Sequence, residues 1–160
     1  MILSAYVIVK AIKDWAIITL EEKTHKITLP KKSKNSRIIK RKQTQYNADS
    51  FAEIEMLERP SKDSVILYKS VNPENNCDFQ TGKIKYEGIV TCPDWDGNVE
   101  KECGNGLHLS PTPQLALSYH QGKLLKCEVK LKDIAVYSKN LTKVRCKKVK
   151  VLGEYKPENK

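Results

Sequence analysis

The sequence predicts an α+β fold, with a small antiparallel or mixed sheet and two or so short helices. Three observations favour this class: short segments with strand alternation outnumber helical ones, turn-forming residues separate them, and no internal repeat is present. The chain has 160 residues, of which 39% are hydrophobic, enough for one domain with a small extension. We expect a basic, β-rich segment with a helix at 1–62, an α+β domain at 63–155 and a tail at 156–160.

The N-terminal segment contains three apolar patterns typical of short strands and one typical of a helix. The strands are predicted at Ala5–Val9, Trp15–Leu20 and Lys26–Leu29, and together they suit a small meander. The helix is predicted at Asp49–Leu57, with Asn47 or Asp49 as its cap. A charged segment that contains a proline then ends the helix and marks the domain boundary.

The C-terminal domain is predicted to be mostly strand. Alternating or continuous apolar runs bounded by turn residues indicate these strands: Val65–Lys69, Lys83–Tyr86, Ile89–Val90, Leu125–Tyr137 and Val144–Leu152. A short helix is expected between the third and fourth of them, ending near Gly122.

The connection 91–113 concentrates turn-forming and reactive residues, so it is the predicted site. Gly104 and Gly106 permit another group to approach the main chain closely. The alternation around His108 places this side chain on the face opposite two leucines. Ser110 precedes a proline and is predicted to cap the following helix. A loop, a strand and a helix start therefore converge on His108. One interpretation is catalysis or nucleotide binding, in which His108 meets an anionic group held by the free backbone amides of the helix start.

Metal binding is one interpretation of this connection. Cys92, Cys103 and His108 are ligand types that suit zinc, with Cys77 as a fourth, although no Cys-x-x-Cys knuckle is present. The alternative is that the cysteines are reduced and structural, as an odd total of five indicates. Calcium is a second metal hypothesis, from the alternate oxygen-bearing side chains of Asp94, Asp96, Asn98 and Glu100.

The charge of the chain indicates an anionic partner. The formal net charge is +10 and the pI is near 9.3. The densest cationic run consists of Lys31, Lys32, Lys34, Arg37, Lys40, Arg41 and Lys42, and a second group near the C-terminus consists of Lys143, Arg145, Lys147, Lys148 and Lys150. Such runs neutralise phosphates, so the predicted partner is nucleic acid or an acidic host protein. Two solvated basic faces without a partner are the alternative.

The first twenty residues are apolar but are interrupted by Lys10, Lys13 and Asp14. They lack the uninterrupted span of a membrane helix and the cleavage pattern of a signal peptide. The sequence therefore predicts no membrane association and a location in the cytoplasm, which is the host cytoplasm if a phage encodes the protein. The oligomeric state is open.

Several short motifs in the second half of the chain occur in a familiar order. They are Tyr68-Lys69, Cys77-Asp78-Phe79-Gln80, Pro93-Asp94-Trp95 and Cys103-Gly104-Asn105-Gly106-Leu107-His108. In this order they resemble a family of uncharacterised domains in bacteriophage and prophage proteins, over about residues 65–154. The resemblance implies an origin in a mobile element and no particular activity.

The chain is also similar to the ADP-ribosyltransferase fold. Tyr68 lies in a motif like the first of that fold, His108 and Ser110 lie in a Gly-Leu-His-Leu-Ser motif like the second, and Glu128 follows in a later strand. The resemblance implies an NAD-using enzyme in which His108 and Ser110 position the nicotinamide ribose and Glu128 stabilises the transition state. Lys69 stands where an arginine or histidine is usual.

The functional expectation is therefore a phage-type accessory protein that binds nucleic acid or an acidic host protein through basic surfaces and modulates a host process. Two alternatives stay open. One is an ADP-ribosyltransferase-like enzyme that uses NAD, and the other is a small zinc-stabilised interaction domain.

Overall fold

A computed structural model describes residues 17–21, 37–41 and 46–156 of the chain. The chain forms two compact units, 1–44 and 45–160. Within the described residues, no helix has the length and apolar character needed to cross a membrane.

The described residues form nine strands, two α-helices and one turn of 3-10 helix. In chain order these are β1 (Ile17–Glu21), β2 (Arg37–Arg41), α1 (Ala48–Ile54), β3 (Ser64–Val71), β4 (Ile89–Thr91), β5 (Leu107–Leu109), α2 (Pro113–Tyr119), β6 (Lys123–Lys130), the 3-10 turn (Leu131–Asp133), β7 (Ile134–Ala135), β8 (Val144–Cys146) and β9 (Lys148–Glu154). The second unit holds both helices and two antiparallel sheets, of four and three strands. The predicted α+β class is confirmed.

In the first unit, β1 and β2 pair in parallel, with Ile17 opposite Arg37. The strand predicted at Trp15–Leu20 overlaps β1, whereas no strand was predicted in the basic run that contains β2. The strands predicted at Ala5–Val9 and Lys26–Leu29 lie outside the described residues.

Helix α1 begins where the sequence predicts and ends earlier. The Asn47 side chain caps it by accepting a hydrogen bond from the Ser50 amide at 2.8 Å. The helix stops at Ile54, because Met56 has a positive φ of 49° that breaks the helical path. Phe51 is fully buried in the core of the second unit, so α1 belongs to that unit. The domain boundary expected after residue 62 stays a prediction.

The larger sheet has the strand order β3-β6-β9-β4, and every neighbouring pair is antiparallel. Alternate residues of these strands face opposite sides of the sheet. Leu67 and Cys127 are paired across β3 and β6, and both are fully buried. On β9, Val149 is buried while its neighbours Lys148 and Lys150 are exposed. One face of β9 therefore supplies core and the other reaches solvent, whereas β3 is buried on both faces from Ser64 to Leu67.

Two long predicted strands are each divided in the structure. The strand predicted at Leu125–Tyr137 ends at Lys130, where a 3-10 turn leads into β7. The strand predicted at Val144–Leu152 divides at Lys147 into β8 and β9, which belong to different sheets. A continuous alternation in sequence does not reveal such a division, because both halves keep the period of two.

The smaller sheet has the strand order β5-β8-β7. Ser110, directly after β5, forms an antiparallel bridge with Tyr68 of β3 and so links the two sheets. The segment Lys83–Tyr86, predicted as a strand, makes only a single bridge between Lys85 and Cys77. One apolar cluster draws on both sheets and α1, and its fully buried members include Phe51, Val65, Leu67, Cys127 and Cys146. The two sheets thus share one core.

Candidate functional site

The turn-rich connection before β5 is held by a buried arginine. Arg145 in β8 is 2% exposed, and its guanidinium donates to the backbone carbonyls of Asp96 at 2.6 Å, Asn105 at 3.3 Å and Asn98. It also lies 6.0 Å from the Trp95 ring centroid, a cation–π distance. Arg145 therefore holds the loop through hydrogen bonds from the loop interior. Sequence analysis predicts it instead as a surface cation of the C-terminal basic group.

The two glycines of the loop are explained by the same arginine. A Cβ at Gly106 would lie 2.9 Å from the Cβ of Arg145 and 3.1 Å from the Trp95 ring, and a Cβ at Gly104 would overlap the guanidinium. The close approach predicted at these glycines is thus to a side chain of the protein itself.

The three predicted zinc ligands have separate surroundings. Cys92 is buried and its thiol donates to Asp94 Oδ1 at 3.4 Å, whereas Cys103 is exposed and its sulfur accepts from Lys143 Nζ at 3.4 Å. His108 lines a different feature of the molecule. Among the described residues, no group of three or more His, Cys, Asp or Glu side chains could hold a metal ion. Neither the zinc set nor the carboxylates of the calcium hypothesis are gathered for coordination.

A small cavity, which we call the His108 cleft, lies where β3 meets β5. Its volume is about 60 Å³. Its walls are formed by Tyr68, Lys69, Ser70, Phe79, Gln80, His108, Ser110, Ala116, Tyr119, His120 and Lys143. The structure therefore brings three of the four predicted catalytic residues, Tyr68, His108 and Ser110, to one place.

Ser110 reaches the His108 cleft through backbone pairing. Its amide donates to the Tyr68 carbonyl at 2.9 Å, and the Tyr68 amide donates to the Ser110 carbonyl at 2.8 Å. Ser110 does not cap the next helix, as had been predicted. Thr112 does so, its hydroxyl accepting from the Leu115 amide at 3.2 Å, because α2 begins two residues later than expected.

His108 is poorly satisfied in its pocket. Both ring nitrogens are covered, and neither has a hydrogen-bond partner among the described residues. A buried polar atom left without a partner costs roughly 1–3 kcal/mol. Burial, followed by the positive charges of Lys69, Lys143 and Arg145, lowers the pKa of His108 to about 4. The imidazole is therefore neutral at pH 7.

Lys69 has the most confined cationic group at this site. Burial lowers its pKa, while Asp78 acts in the opposite direction. Its ammonium lies 5.3 Å from the Tyr86 ring centroid and makes no ion pair or side-chain hydrogen bond within the described residues. Lys69 and His108 thus both contribute to the walls of one cavity, and within the described residues neither the Lys69 ammonium nor the His108 ring nitrogens have a hydrogen-bond acceptor or donor from the protein.

Glu128, the fourth predicted catalytic residue, lies elsewhere. It is in β6 opposite Lys150, with 3.6 Å between its carboxylate and Lys150 Nζ, and it accepts from the Ser64 hydroxyl at 2.8 Å. It lines two surface grooves and is not among the residues of the His108 cleft. The contact with Lys150 is a cross-strand ion pair between β6 and β9, which is a structural role for Glu128.

A second surface feature is a groove that we call the lysine groove. Its volume is about 580 Å³, and the only acidic residues among those lining it are Glu128 and Asp133. It contains five exposed lysines: Lys130, Lys132, Lys147, Lys148 and Lys150. Lys147 and Lys148 are predicted nucleic-acid contacts and Lys150 belongs to the same C-terminal basic group, so the structure adds Lys130 and Lys132. Ile89 and Thr91 of the edge strand β4 complete the wall, and no aromatic residue lines it.

The remaining predicted nucleic-acid contacts belong to the first unit. Arg37, Lys40 and Arg41 lie in β2, whereas Lys31, Lys32, Lys34 and Lys42 are outside the described residues.

Sequence reasoning missed part of each feature, for different reasons. Lys130 follows the buried residues Cys127 and Val129, which alternate along β6. That signal was present in the sequence. Lys69 and Lys143 join His108 only through the pairing of distant strands, so no local pattern indicates the His108 cleft.

The architecture is thus an α+β domain with a basic groove and a separate polar cleft. A family model for a domain of unknown function, DUF7666, matches residues 65–159, and the chain belongs to this family. The match runs from Val65 in β3 past the end of β9 and therefore includes every residue that lines the lysine groove or the His108 cleft, whereas α1 lies outside it. No curated protein and no solved structure matched the chain.

Proposed function

We propose that this protein binds nucleic acid through its basic surfaces, with the lysine groove as the principal contact on the second unit. The observation that carries the proposal is the convergence of five exposed lysines on one groove that only two acidic residues line. Lysine ammonium groups bind phosphates as point charges, and each phosphate neutralised releases counterions.

The composition of the groove supports contacts to the phosphate backbone over readout of bases. Single-stranded nucleic acids are usually held by stacking on aromatic rings, and the groove wall contains none. Arginine forks that read guanine are also absent from the wall, since all five cations are lysines. We therefore expect weak sequence preference and a strong dependence on salt.

The basic run of the first unit is the second part of the proposal. Arg37, Lys40 and Arg41 are close together in β2, and lysines flank this strand in the sequence. An acidic host protein is the alternative partner for both surfaces. The resemblance to phage and prophage domains supports an accessory role for a mobile element that acts on a host process, and this step rests on the resemblance alone.

The other functional hypotheses have less support. An ADP-ribosyltransferase-like enzyme that uses NAD is favoured by the meeting of Tyr68, His108 and Ser110 at one cavity. Its proposed carboxylate, Glu128, is tied to Ser64 and Lys150 in other grooves. A zinc-stabilised domain lacks a gathered ligand set among the described residues. The nucleic-acid proposal, in contrast, accounts for the five exposed lysines of the lysine groove.

The proposal is tested by titrating the full chain into a fluorescently labelled 20-base-pair DNA duplex at 50–200 mM NaCl. If about four phosphates are neutralised, the affinity should fall by roughly 100-fold over this range. The double variant Lys147→Glu/Lys148→Glu should weaken binding by about tenfold or more, because two contacts become repulsive. Reversal of Lys40, Arg41 and Lys42 tests the first unit in the same assay.

The matched control is Lys83→Glu/Lys139→Glu, which changes net charge equally at two exposed lysines that line neither feature. It should change the affinity by less than about threefold. Equal losses in both double variants would show a response to net charge only and would refute the groove. Tighter, salt-dependent binding to polyglutamate than to DNA would instead favour an acidic protein partner.

A further inference from the structure

We propose that the His108 cleft is a binding site for the phosphate group of a small molecule, separate from the lysine groove. The two features share no lining residue. The inference therefore goes beyond the proposed nucleic-acid contact.

The charge of the His108 cleft favours an anion. Two lysines, Lys69 and Lys143, line it together with two histidines, and no Asp or Glu is among the lining residues. Asp78, the acid that acts on Lys69, is already committed to the Thr81 and Ile84 amides at 2.7 and 2.9 Å. Glu102 lies 3.5 Å from Lys143 and does not line the cavity. An oxyanion would thus meet two lysines and two histidines in the cavity wall, with Asp78 and Glu102 behind the wall and not in it.

The hydrogen-bonding capacity of the walls also awaits an acceptor. Lys69 Nζ has no side-chain hydrogen bond or ion pair within the described residues, and neither ring nitrogen of His108 has a partner. A neutral imidazole has one N–H donor and an ammonium has three. A phosphate oxygen in the cavity would accept from the Lys69 ammonium, and from the covered His108 N–H after a rotation of the ring; bonds between charged partners are among the strongest. The ligand would satisfy groups that the protein leaves unsatisfied.

Size and rim define the ligand further. A cavity of about 60 Å³ accepts a few water molecules or one tetrahedral oxyanion, and it is too small to enclose a whole nucleotide. Phe79 and His120 are exposed and stacked, with ring centroids 4.7 Å apart, and Tyr119 is 43% exposed beside them. These rings form a rim on which the aromatic part of a phosphate ester can stack outside the cavity. Free phosphate and an aromatic phosphate ester share the chemistry of the inner site.

The test is an NMR titration of the ¹⁵N-labelled full chain with inorganic phosphate at constant ionic strength and pH 7, following the imidazole of His108. The Lys147→Glu/Lys148→Glu background removes competing lysines of the groove. We expect a saturable shift of the His108 resonances. Lys69→Met, which keeps most of the side-chain volume, should weaken the affinity by about tenfold or more. Lys83→Met, at an exposed site outside the cavity, is the matched control and should leave it unchanged.

The same titration is repeated with the variant Lys143→Met, and with 5′-AMP and adenosine as ligands. Lys143→Met should also weaken binding, and it replaces Lys69→Met if the latter fails to give a dispersed spectrum. Titration with 5′-AMP identifies the source: tighter binding than phosphate indicates an ester that stacks on the rim, and equal or weaker binding indicates the free oxyanion. A shift that does not saturate, equal affinity in the lysine variants, or equal binding of adenosine and 5′-AMP would overturn the proposal.

Discussion

The lysine groove and the His108 cleft are both basic, but they are built in different ways. The groove lies at the outer face of the larger sheet and places five exposed lysines around about 580 Å³, of which Lys150 pairs with Glu128. The cleft, of about 60 Å³, confines Lys69 beside a histidine whose nitrogens are covered. Exposed charges attract an anion from a distance, and dissolved salt screens this attraction. A charge in a confined cavity interacts with the one ligand group that is bound beside it.

The two features suit different kinds of anion, because their lysines differ in exposure and hydration. Solvated lysines keep their hydration and their mobility, so they bind a polymer through the sum of many weak contacts. The lysine of the cleft has lost part of its hydration, as the lowered pKa of Lys69 indicates. A ligand that restores hydrogen bonds there gains more from each contact. The comparison therefore separates polymer binding from small-ligand binding within one domain.

The largest expected effect concerns Arg145, which stands between the two features in β8 without lining either. Arg145→Met removes the guanidinium that donates to three backbone carbonyls in the loop interior, and these carbonyls then lose that hydrogen bond. We expect the free energy of unfolding to fall by about 3 kcal/mol. Urea denaturation followed by circular dichroism measures this loss.

The control for Arg145 is Lys147→Met, two residues further along. Lys147 is exposed, so its replacement should change the free energy of unfolding by less than about 0.5 kcal/mol. A stability loss in Arg145→Met as small as in this control would contradict the role of Arg145 as the anchor of the loop.

A smaller effect is expected from the pH dependence of the His108 cleft. The pKa of His108 is lowered to about 4 in the fold, from an ordinary value of 6.5. The unfolded chain therefore binds the proton more readily, and the stability contributed by neutral His108 is complete above pH 6.5 and is lost as the pH falls toward 4. Between pH 7 and pH 5 we expect a loss of about 1–2 kcal/mol, allowing for solvent screening.

This pH effect is isolated by comparing the wild type with His108→Gln in urea denaturation at both pH values. The glutamine does not titrate, so the variant should lose about 1–2 kcal/mol less stability on acidification. Carboxylates contribute equally to both proteins and cancel in the difference. Identical losses in the two proteins would mean that His108 titrates as it does in the unfolded chain.

Much of the fold could be predicted from the sequence because its signals are local. The Asn47 cap, the strand cores around Leu67 and Cys127, and the outward lysines of β9 each follow from a cap residue or a period of two. The division of the final strand at Lys147 could not be predicted, since β8 and β9 keep the same alternation while they join different sheets.

The candidate sites show the same limit. Lys147 and Lys148 were found as cations in a run, and their exposure needs only the local pattern. Lys69 was noted for replacing a family residue, and its position beside His108 depends on the bridge between Tyr68 and Ser110. Arg145 looked like part of a basic patch and is buried instead, because its partners are carbonyls of a distant loop. Long-range pairing, which composition does not encode, decides both cases.

If the two basic features are independent anion sites, then a substitution in one of them should leave ligand binding at the other unchanged, and reciprocal titration of two variants measures this. The duplex DNA and inorganic phosphate would each be titrated into Lys147→Glu/Lys148→Glu and into Lys69→Met. We predict that Lys147→Glu/Lys148→Glu loses duplex affinity by about tenfold or more and keeps phosphate binding at His108. Lys69→Met should lose phosphate affinity by about tenfold or more and keep duplex binding. Loss of both ligands in either variant, or of neither, would contradict the independence of the two sites.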